Sequence, residues 1–380
     1  MKIVADSNIP FAAEACAGLG DVEIVKAGEL SAERLRDCDV LLCRSTRKVN
    51  AELLDGTNVR FVATATIGVD HVDLDYLEGR GIGFASAPGS NANSVSEYVT
   101  SALVVMAHEM GRRLRDMAIG VVGVGNVGRR VVRKAGALGM TVLQNDPPLE
   151  RQTGESRFRP LVELMDADVI SLHVPLTRAG EDATHHMVDR AFLDRMKPGA
   201  TLINSARGAV ADTAALHAVI DSGKLPAVAL DVWENEPNID AGLVAKVAIA
   251  TPHIAGHSFD GKVNGTKMVY DAACEYLGVP ASWTPDSVMP PPAVPRIELD
   301  GRGRDDEDVV RDAVLALYDV RRDDAGLRRM PKDGTGGEHF ARLRREYWRR
   351  RAFHNTTVVL TGGSAELRAT LSGLGFRLEG

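Results

Sequence analysis

Apolar runs of four or five residues recur through the first 250 residues, each followed by a polar, glycine-bearing or helix-patterned stretch. Residues 2–5, 22–25, 40–43, 61–64 and 83–86 read as strands. Their shortness, β-branched content and spacing predict an open α/β sheet with crossover helices. A helix is predicted over 92–115, capped by Asn93 or Ser94, with Val95, Val99, Ala102, Leu103 and Met106 on one face. A second α/β series follows: a strand over 119–122, a helix over 126–138 and a strand over 141–145. Further strands are predicted at 169–172, 201–203, 227–230 and 248–250, then a helix at 262–277.

The stretch Thr284-Pro285-Asp286-Ser287-Val288-Met289-Pro290-Pro291-Pro292 is the clearest linker, because proline donates to neither helix nor sheet. Beyond it the pattern predicts a strand (296–299), a helix (307–318), a glycine-rich loop (333–337) and an arginine-rich helix (338–351). A strand (357–360), a helix (365–374) and a short last strand complete the chain. The expected fold is α/β, with a small α+β domain at the C-terminus.

Composition narrows the function. The chain is 44% apolar and 26% charged, an ordinary globular balance. A net charge of -7 argues against a dedicated nucleic-acid binder. The six arginines of 342–351 accompany an apolar face of Phe340, Leu343 and Tyr347, so they are expected to pair with acidic groups, not with a phosphate backbone. No apolar run is long enough to span a bilayer, and the opening Met1-Lys2-Ile3-Val4-Ala5-Asp6 turns acidic too early for a secretory signal. Cys16, Cys38, Cys43 and Cys274 show neither CxxC pairing nor metal-ligand spacing, which fits idle thiols in a reducing cytoplasm and no metal site.

Gly120-Val121-Val122-Gly123-Val124-Gly125-Asn126-Val127-Gly128 places GxGxxG between a strand and a helix. Gly123 permits the tight turn, Gly125 lets backbone approach a pyrophosphate, and Gly128 permits close helix–strand packing. Asp146 ends the next strand, where a carboxylate accepts from an adenosine ribose and repels a 2′-phosphate. That favours NAD over NADP. The plainer alternative is a structural turn with Asp146 as a strand-end cap.

Three strand ends carry acid–base candidates: Arg207 in Asn204-Ser205-Ala206-Arg207-Gly208, Glu236 before Pro237, and His253 in Thr251-Pro252-His253-Ile254-Ala255-Gly256. Oxidising a secondary alcohol needs a base for its proton, a carboxylate to orient an imidazole, and a cation to grip an acid group. Singly, each has an ordinary structural explanation, and spacing does not select His253 among ten histidines. Arg44, Arg47 and Lys48 flank Ser45 in a loop suited to a phosphate or simply to solvent. Thr66-Ile67-Gly68 offers main-chain N–H groups to a carboxylate, or forms a simple turn.

The order GxGxxG, Asp, NxxRG, DVxxxEP, TPHIAG resembles the D-2-hydroxyacid dehydrogenase family. The likeness extends to Arg44–Asn50, Ala63–His71, Ala87–Ala92 and the tail stretch Leu317–Asp324, and so spans essentially the whole chain. It implies two Rossmann-like domains: a flavodoxin-like catalytic domain (1–92 with 257–284) and an NAD-binding domain (93–256). The remainder, 285–380, would be a C-terminal dimerisation domain. It implies His253 as proton donor and acceptor, Glu236 as its partner and Arg207 as the substrate-orienting cation. NAD contacts are implied for Asn126, Val127, Asp146, Ser205, Ala206, Arg207, Asp231 and Gly256, and substrate contacts for Ser45 and Thr66. His257 stands where the nearest relatives usually have tyrosine. The implied reaction is NAD-dependent oxidation of 4-phospho-D-erythronate in a cleft between the first two domains. The alternatives are another D-2-hydroxy acid such as 3-phosphoglycerate, or an NAD-sensing binding protein without turnover. The tail would pair two subunits through Leu315, Leu317, Tyr318, Phe340, Leu343 and Tyr347, and a chain ending at Thr284 would be a monomer that still binds NAD.

Overall fold

The computed structural model describes residues 1–331 and 334–379; Asp333 of the expected glycine-rich loop lies outside them. The chain divides into two compact units, 1–91 with 258–291, and 92–257 with 292–380.

The first unit holds a five-stranded parallel sheet in the order Asp21–Val25, Lys2–Asp6, Val40–Cys43, Phe61–Thr64, Gly83–Ser86. Val40–Cys43 and Phe61–Thr64 are buried at every position, which explains why they read as unbroken apolar runs. The helix Phe259–Leu277 returns to cover this sheet, capped by the Ser258 hydroxyl accepting from Gly261 N–H.

The second unit contains a six-stranded parallel sheet, ordered Ile249–Ala250, Ala227–Leu230, Thr201–Asn204, Val169–Leu172, Ala118–Val122, Thr141–Asn145. The order reverses beside Ala118–Val122, so the crevice outside that strand's carboxyl end is the place for a ligand. The tail adds three parallel strands, Arg296–Asp300, Thr357–Thr361 and Arg377–Glu379, with Thr357–Thr361 in the middle.

The helix expected to be one-sided, Ala92–Glu109, is buried almost all round. The tail covers the face that the sheet does not. Val309, Val310, Ala313 and Val314 of the helix Asp306–Leu317 join Val104, Leu114, Met117 and Ile119 in one apolar cluster. The Ser101 hydroxyl donates to Tyr318 O (2.8 Å) and accepts from Val320 N–H (3.1 Å). The few contacts expected of the proline-rich linker do not extend to the tail itself. A chain ending at Thr284 would lack the tail's part of this cluster and leave Val104, Leu114, Met117 and Ile119 without that cover. Tyr318 and Phe340 are 1% and 0% exposed within the single chain, which removes them from any face presented to a second subunit.

Two tail elements differ from expectation. A helix at Val320–Arg328 was not foreseen, because its sequence is dominated by charge. It forms because Asp319 caps it, accepting from Arg321 N–H, and because Val320, Asp323 and Leu327 fall on one buried face. The arginine-rich helix runs Gly336–Arg345 and stops there. The residues after it turn inward: Tyr347 OH (2.8 Å) and Trp348 Nε1 (3.3 Å) donate to Asp323, which Tyr318 OH also reaches at 2.9 Å. Arg350 is fully buried; its Nη2 donates to Ser94 O (3.1 Å) and Ala255 O (2.6 Å), and its guanidinium lies 4.1 Å over the Tyr318 ring. No helix among the described residues is long and apolar enough to cross a membrane.

Candidate active site

The glycine loop joins Ala118–Val122 to the helix Gly128–Ala137. A Cβ on Gly123 (φ 85°) would lie 2.7 Å from His173 O, and one on Gly128 would lie 1.9 Å from Gly123 O. Both glycines are therefore demanded by the loop folding tightly on itself. Gly125 differs: nothing lies within 4 Å of its Cβ position. That open side, at the start of a helix with unpaired N–H groups, has the room and polarity for a pyrophosphate, so these residues fit a dinucleotide.

Asp146 ends the adjoining strand and is half-buried. One carboxylate oxygen accepts from Val124 N–H in the glycine loop (2.7 Å), the other from Leu149 N–H as the cap of Pro147–Thr153 (3.0 Å). The cap alternative is thus a physical fact, and an ionised carboxylate retains lone pairs for a ribose. His173, not singled out by the sequence, sits at the next strand end. Its Nε2 is 2.9 Å from Ser171 Oγ and its Nδ1 is 3.5 Å from Ser205 Oγ. Desolvation pushes its imidazole down to about 3, so it stays neutral. Its strand-end position facing Gly123 was the available signal.

Arg207 lies just past Thr201–Asn204. The Asn204 side chain staples this turn, accepting from Ala206 N–H (3.1 Å) and donating to Arg207 O (3.1 Å). A Cβ on Gly208 would lie 1.9 Å from Trp233 O, so the turn is pressed against the segment that carries Glu236. Glu236 accepts from Trp233 N–H at 2.9 Å through Oε1, and its Oε2 lies 2.7 Å from His253 Nδ1. Burial alone would raise the Glu236 carboxyl. The bonds to His253 and Trp233, with the nearby Arg344 charge, more than offset it and hold it below its ordinary value.

His253 has a left-handed backbone, φ 56°. Asp231 holds that loop: its carboxylate, 1% exposed, accepts from Thr251 Oγ1 (2.6 Å), Ile254 N–H (2.8 Å) and Ala255 N–H (2.9 Å), and its carbonyl accepts from His253 N–H (2.6 Å). Of the residues tied by sequence to NAD, Asp231 accepts three hydrogen bonds from the protein through its carboxylate. Gly256 and His257 follow in the same loop, and the His257 ring lies edge-on to Tyr347 at 5.8 Å.

The first unit carries the other candidates. Thr66 Oγ1 donates to Gly68 O (2.9 Å) and lies 2.8 Å from Thr64 Oγ1, which is 3.0 Å from His71 Nε2. Ser45 is exposed; Arg44 Nη1 donates to Asn8 O (3.3 Å), and Arg47 Nε is buried without a hydrogen-bond partner. Lys262, in the first turn of Phe259–Leu277, joins them. Burial and the Arg44 charge push its ammonium down to about 8. Sequence reading missed it, because its closeness to Arg44 is created by the helix returning to the first sheet. The four cysteines are buried thiols, and burial raises Cys16 and Cys43 to about 12.

Residues 91–255 match the family described as D-isomer specific 2-hydroxyacid dehydrogenase, NAD binding domain, and residues 288–375 match a domain of unknown function (DUF3410). The chain is 43% identical to the erythronate-4-phosphate dehydrogenase of Hahella chejuensis over 381 residues, covering 100% of both chains. It is 45% identical to that of Salinibacter ruber, covering 100% of this chain and 99% of the other. Among solved structures, it is similar to a D-lactate dehydrogenase from Aquifex aeolicus complexed with NAD and lactic acid. That likeness has 26% identity and a TM-score of 0.59, over 73% of this chain and 96% of that one. A Thermus thermophilus protein matches at 27% identity and a TM-score of 0.63, over 74% of this chain and 98% of the other.

Proposed function

We infer the reaction from kinship: this chain belongs to the erythronate-4-phosphate dehydrogenases, a branch of the D-isomer specific 2-hydroxyacid dehydrogenase family. It is an NAD-dependent 4-phosphoerythronate dehydrogenase, oxidising 4-phospho-D-erythronate to (R)-3-hydroxy-2-oxo-4-phosphooxybutanoate on the route to pyridoxal 5′-phosphate. NAD, when bound, supplies the hydride acceptor.

The observation that supports the assigned roles is the 2.7 Å link between His253 Nδ1 and Glu236 Oε2, with Glu236 itself fixed by Trp233 N–H. An ionised Glu236 keeps the proton of neutral His253 on Nδ1, leaving the Nε2 lone pair to take the proton of the C2 hydroxyl. The imidazolium so formed is stabilised by the same carboxylate. Arg207 grips the C1 carboxylate and polarises the oxygen that becomes a carbonyl. Backbone around Gly123, Gly125 and Gly128, with Asn126, Val127, Asp146, Ser205, Ala206, Arg207, Asp231 and Gly256, would hold the dinucleotide. Ser45, Thr66, Arg44, Arg47 and His257 would hold the substrate.

We also assign a homodimer paired through parts of the tail other than Tyr318 and Phe340, and a cytoplasmic location, which four unoxidised cysteines suit. A panel of 4-phosphoerythronate, 3-phosphoglycerate, lactate and glycerate, followed by nicotinamide absorbance, tests the reading. The phosphorylated four-carbon acid should give the highest kcat/KM. A preference for 3-phosphoglycerate, or no turnover with any of them, would refute it.

A further inference from the structure

The tail carries no acid–base motif, yet one of its helices runs alongside the catalytic pair. Gly337, Phe340 and Arg344 recur at helical spacing, so they share one face of Gly336–Arg345. The first of them meets the Glu236 segment: a Cβ on Gly337 would lie 2.3 Å from Asn238 Oδ1 and 3.6 Å from Pro237 Cγ. Phe340 is 0% exposed and packs in the cluster that contains Trp233. Tyr347, at the far end, meets the His257 ring. Arg344 therefore lies between the segment bearing Glu236 and the loop bearing His253.

Arg344 is placed for a ligand and not for a structural partner. Its guanidinium stands 5.8 Å over the Phe340 ring, which steers it without neutralising it. Its Nε is buried and makes no hydrogen bond, a costly state for a charged donor. Its charge is felt by Glu236, but no hydrogen bond joins the two. The neighbouring tail arginines are engaged: Arg342 with His339, Arg345 with Glu346, Arg350 with Ser94 and Ala255.

We propose that the tail completes the active site, with Arg344 as a specificity-determining residue that binds the phosphate monoester of the substrate. The proposal rests on the reaction above, in which Arg207 already serves the carboxylate and the phosphate dianion needs its own planar, bidentate donor. It gives the domain of unknown function a chemical task besides assembly.

The test uses the full-length protein and the variants Arg344→Ala and Arg344→Lys, assayed with 4-phosphoerythronate and with D-erythronate. The alanine variant should lose at least about tenfold in kcat/KM on the phosphorylated acid, chiefly through KM, and less than about threefold on D-erythronate. Lysine, a point charge, should restore part of the loss. Equal losses on both acids, or an acidic limb of the pH profile displaced alike for both, would make Arg344 a positioning residue of Glu236 and overturn the proposal. Calorimetry with inorganic phosphate in the presence of NADH reads the same site without turnover. Wild-type protein should bind phosphate at least about tenfold more tightly than Arg344→Ala or, if that variant fails to fold, Arg344→Gln. Unchanged phosphate binding would overturn the proposal whatever the true substrate proves to be. A wild type that prefers another acid refutes the reaction and leaves this comparison readable.

Discussion

The loop of residues 251–257 and the loop of residues 44–48 both carry polar side chains, but they are built on opposite plans. In the first, the groups that position the base are fixed: Asp231 gathers three donors, Glu236 holds His253, and Arg350 holds the carbonyl of Ala255. In the second, cations gather: Arg44 stands beside Lys262, and Arg47 has a buried Nε that makes no hydrogen bond. Proton transfer tolerates little misplacement, so its base is locked before substrate arrives. An oxyanion site can keep its donors unspent, because the ligand supplies the acceptors.

The sharpest way to break this contrast is at the base. His253→Ala should lower turnover by about 100-fold or more while NAD binding, followed by fluorescence titration, persists. Turnover close to wild type would remove His253 from its role.

Next comes the scaffold beneath it. Asp231→Ala leaves the Ile254 and Ala255 N–H groups as buried donors without their acceptor, each costing about 1–3 kcal/mol, while Thr251 keeps Tyr98 OH. Urea unfolding should show a loss of about 3 kcal/mol or more, with turnover falling in step. A variant of unchanged stability would mean the loop is held by something else.

On the cationic side, Arg44→Ala and Lys262→Ala should leave the unfolding midpoint nearly unchanged and raise KM for the phosphorylated acid about tenfold each. Lys262 loses its proton as pH rises through about 8, so KM for that acid should climb above that pH in the wild type and not in Lys262→Ala. A flat profile would take Lys262 out of the site.

Glu236→Gln addresses the pair itself. The Glu236 carboxyl is held below its ordinary value of 4.5, so its stabilising effect is present above that pH and lost as pH falls through the lowered value. Without the carboxylate the His253 imidazolium is less favoured, so the acidic limb of the pH–rate profile should move to lower pH. A limb that moved upward would contradict the assigned roles.

The smallest effect separates the two duties of Asp146. Asp146→Ser keeps a capping oxygen and Asp146→Ala does not. Both should weaken NAD and relieve repulsion of NADP, but only alanine should cost stability, by about 1 kcal/mol. Equal unfolding midpoints would mean the cap contributes little.

Much of this was legible in the chain, and the exceptions have a common cause. The strands Val40–Cys43, Phe61–Thr64 and Val169–Leu172 stand where the apolar runs placed them, because a parallel strand's burial is written in its own residues. GxGxxG and the loop end of each strand likewise pointed to the second unit's site. What the sequence concealed depends on residues far away along the chain. Lys134, within the helix placed over 126–138, is 6% exposed and donates to Leu374 O. Glu97, within the helix placed over 92–115, is buried and accepts from Phe353 N–H at 2.9 Å. The packing of the tail against Ala92–Glu109 is of the same kind. A proline-rich linker marks where the chain crosses over, and says nothing about how far the segment beyond it packs back.

The grip of Arg350 on Ala255 O also sets an order in time. A ribosome makes this chain from its N-terminus, so both large sheets and every acid–base residue have emerged before residue 350 is added. Until then the carbonyl two residues past His253 lacks its clasp, and Ser94 lacks the same guanidinium. Until residue 350 has left the exit tunnel, the loop bearing His253 thus lacks one of its fixings. A protease nick in the proline-rich crossing of a finished molecule, by contrast, would leave the clasp closed and the tail in place.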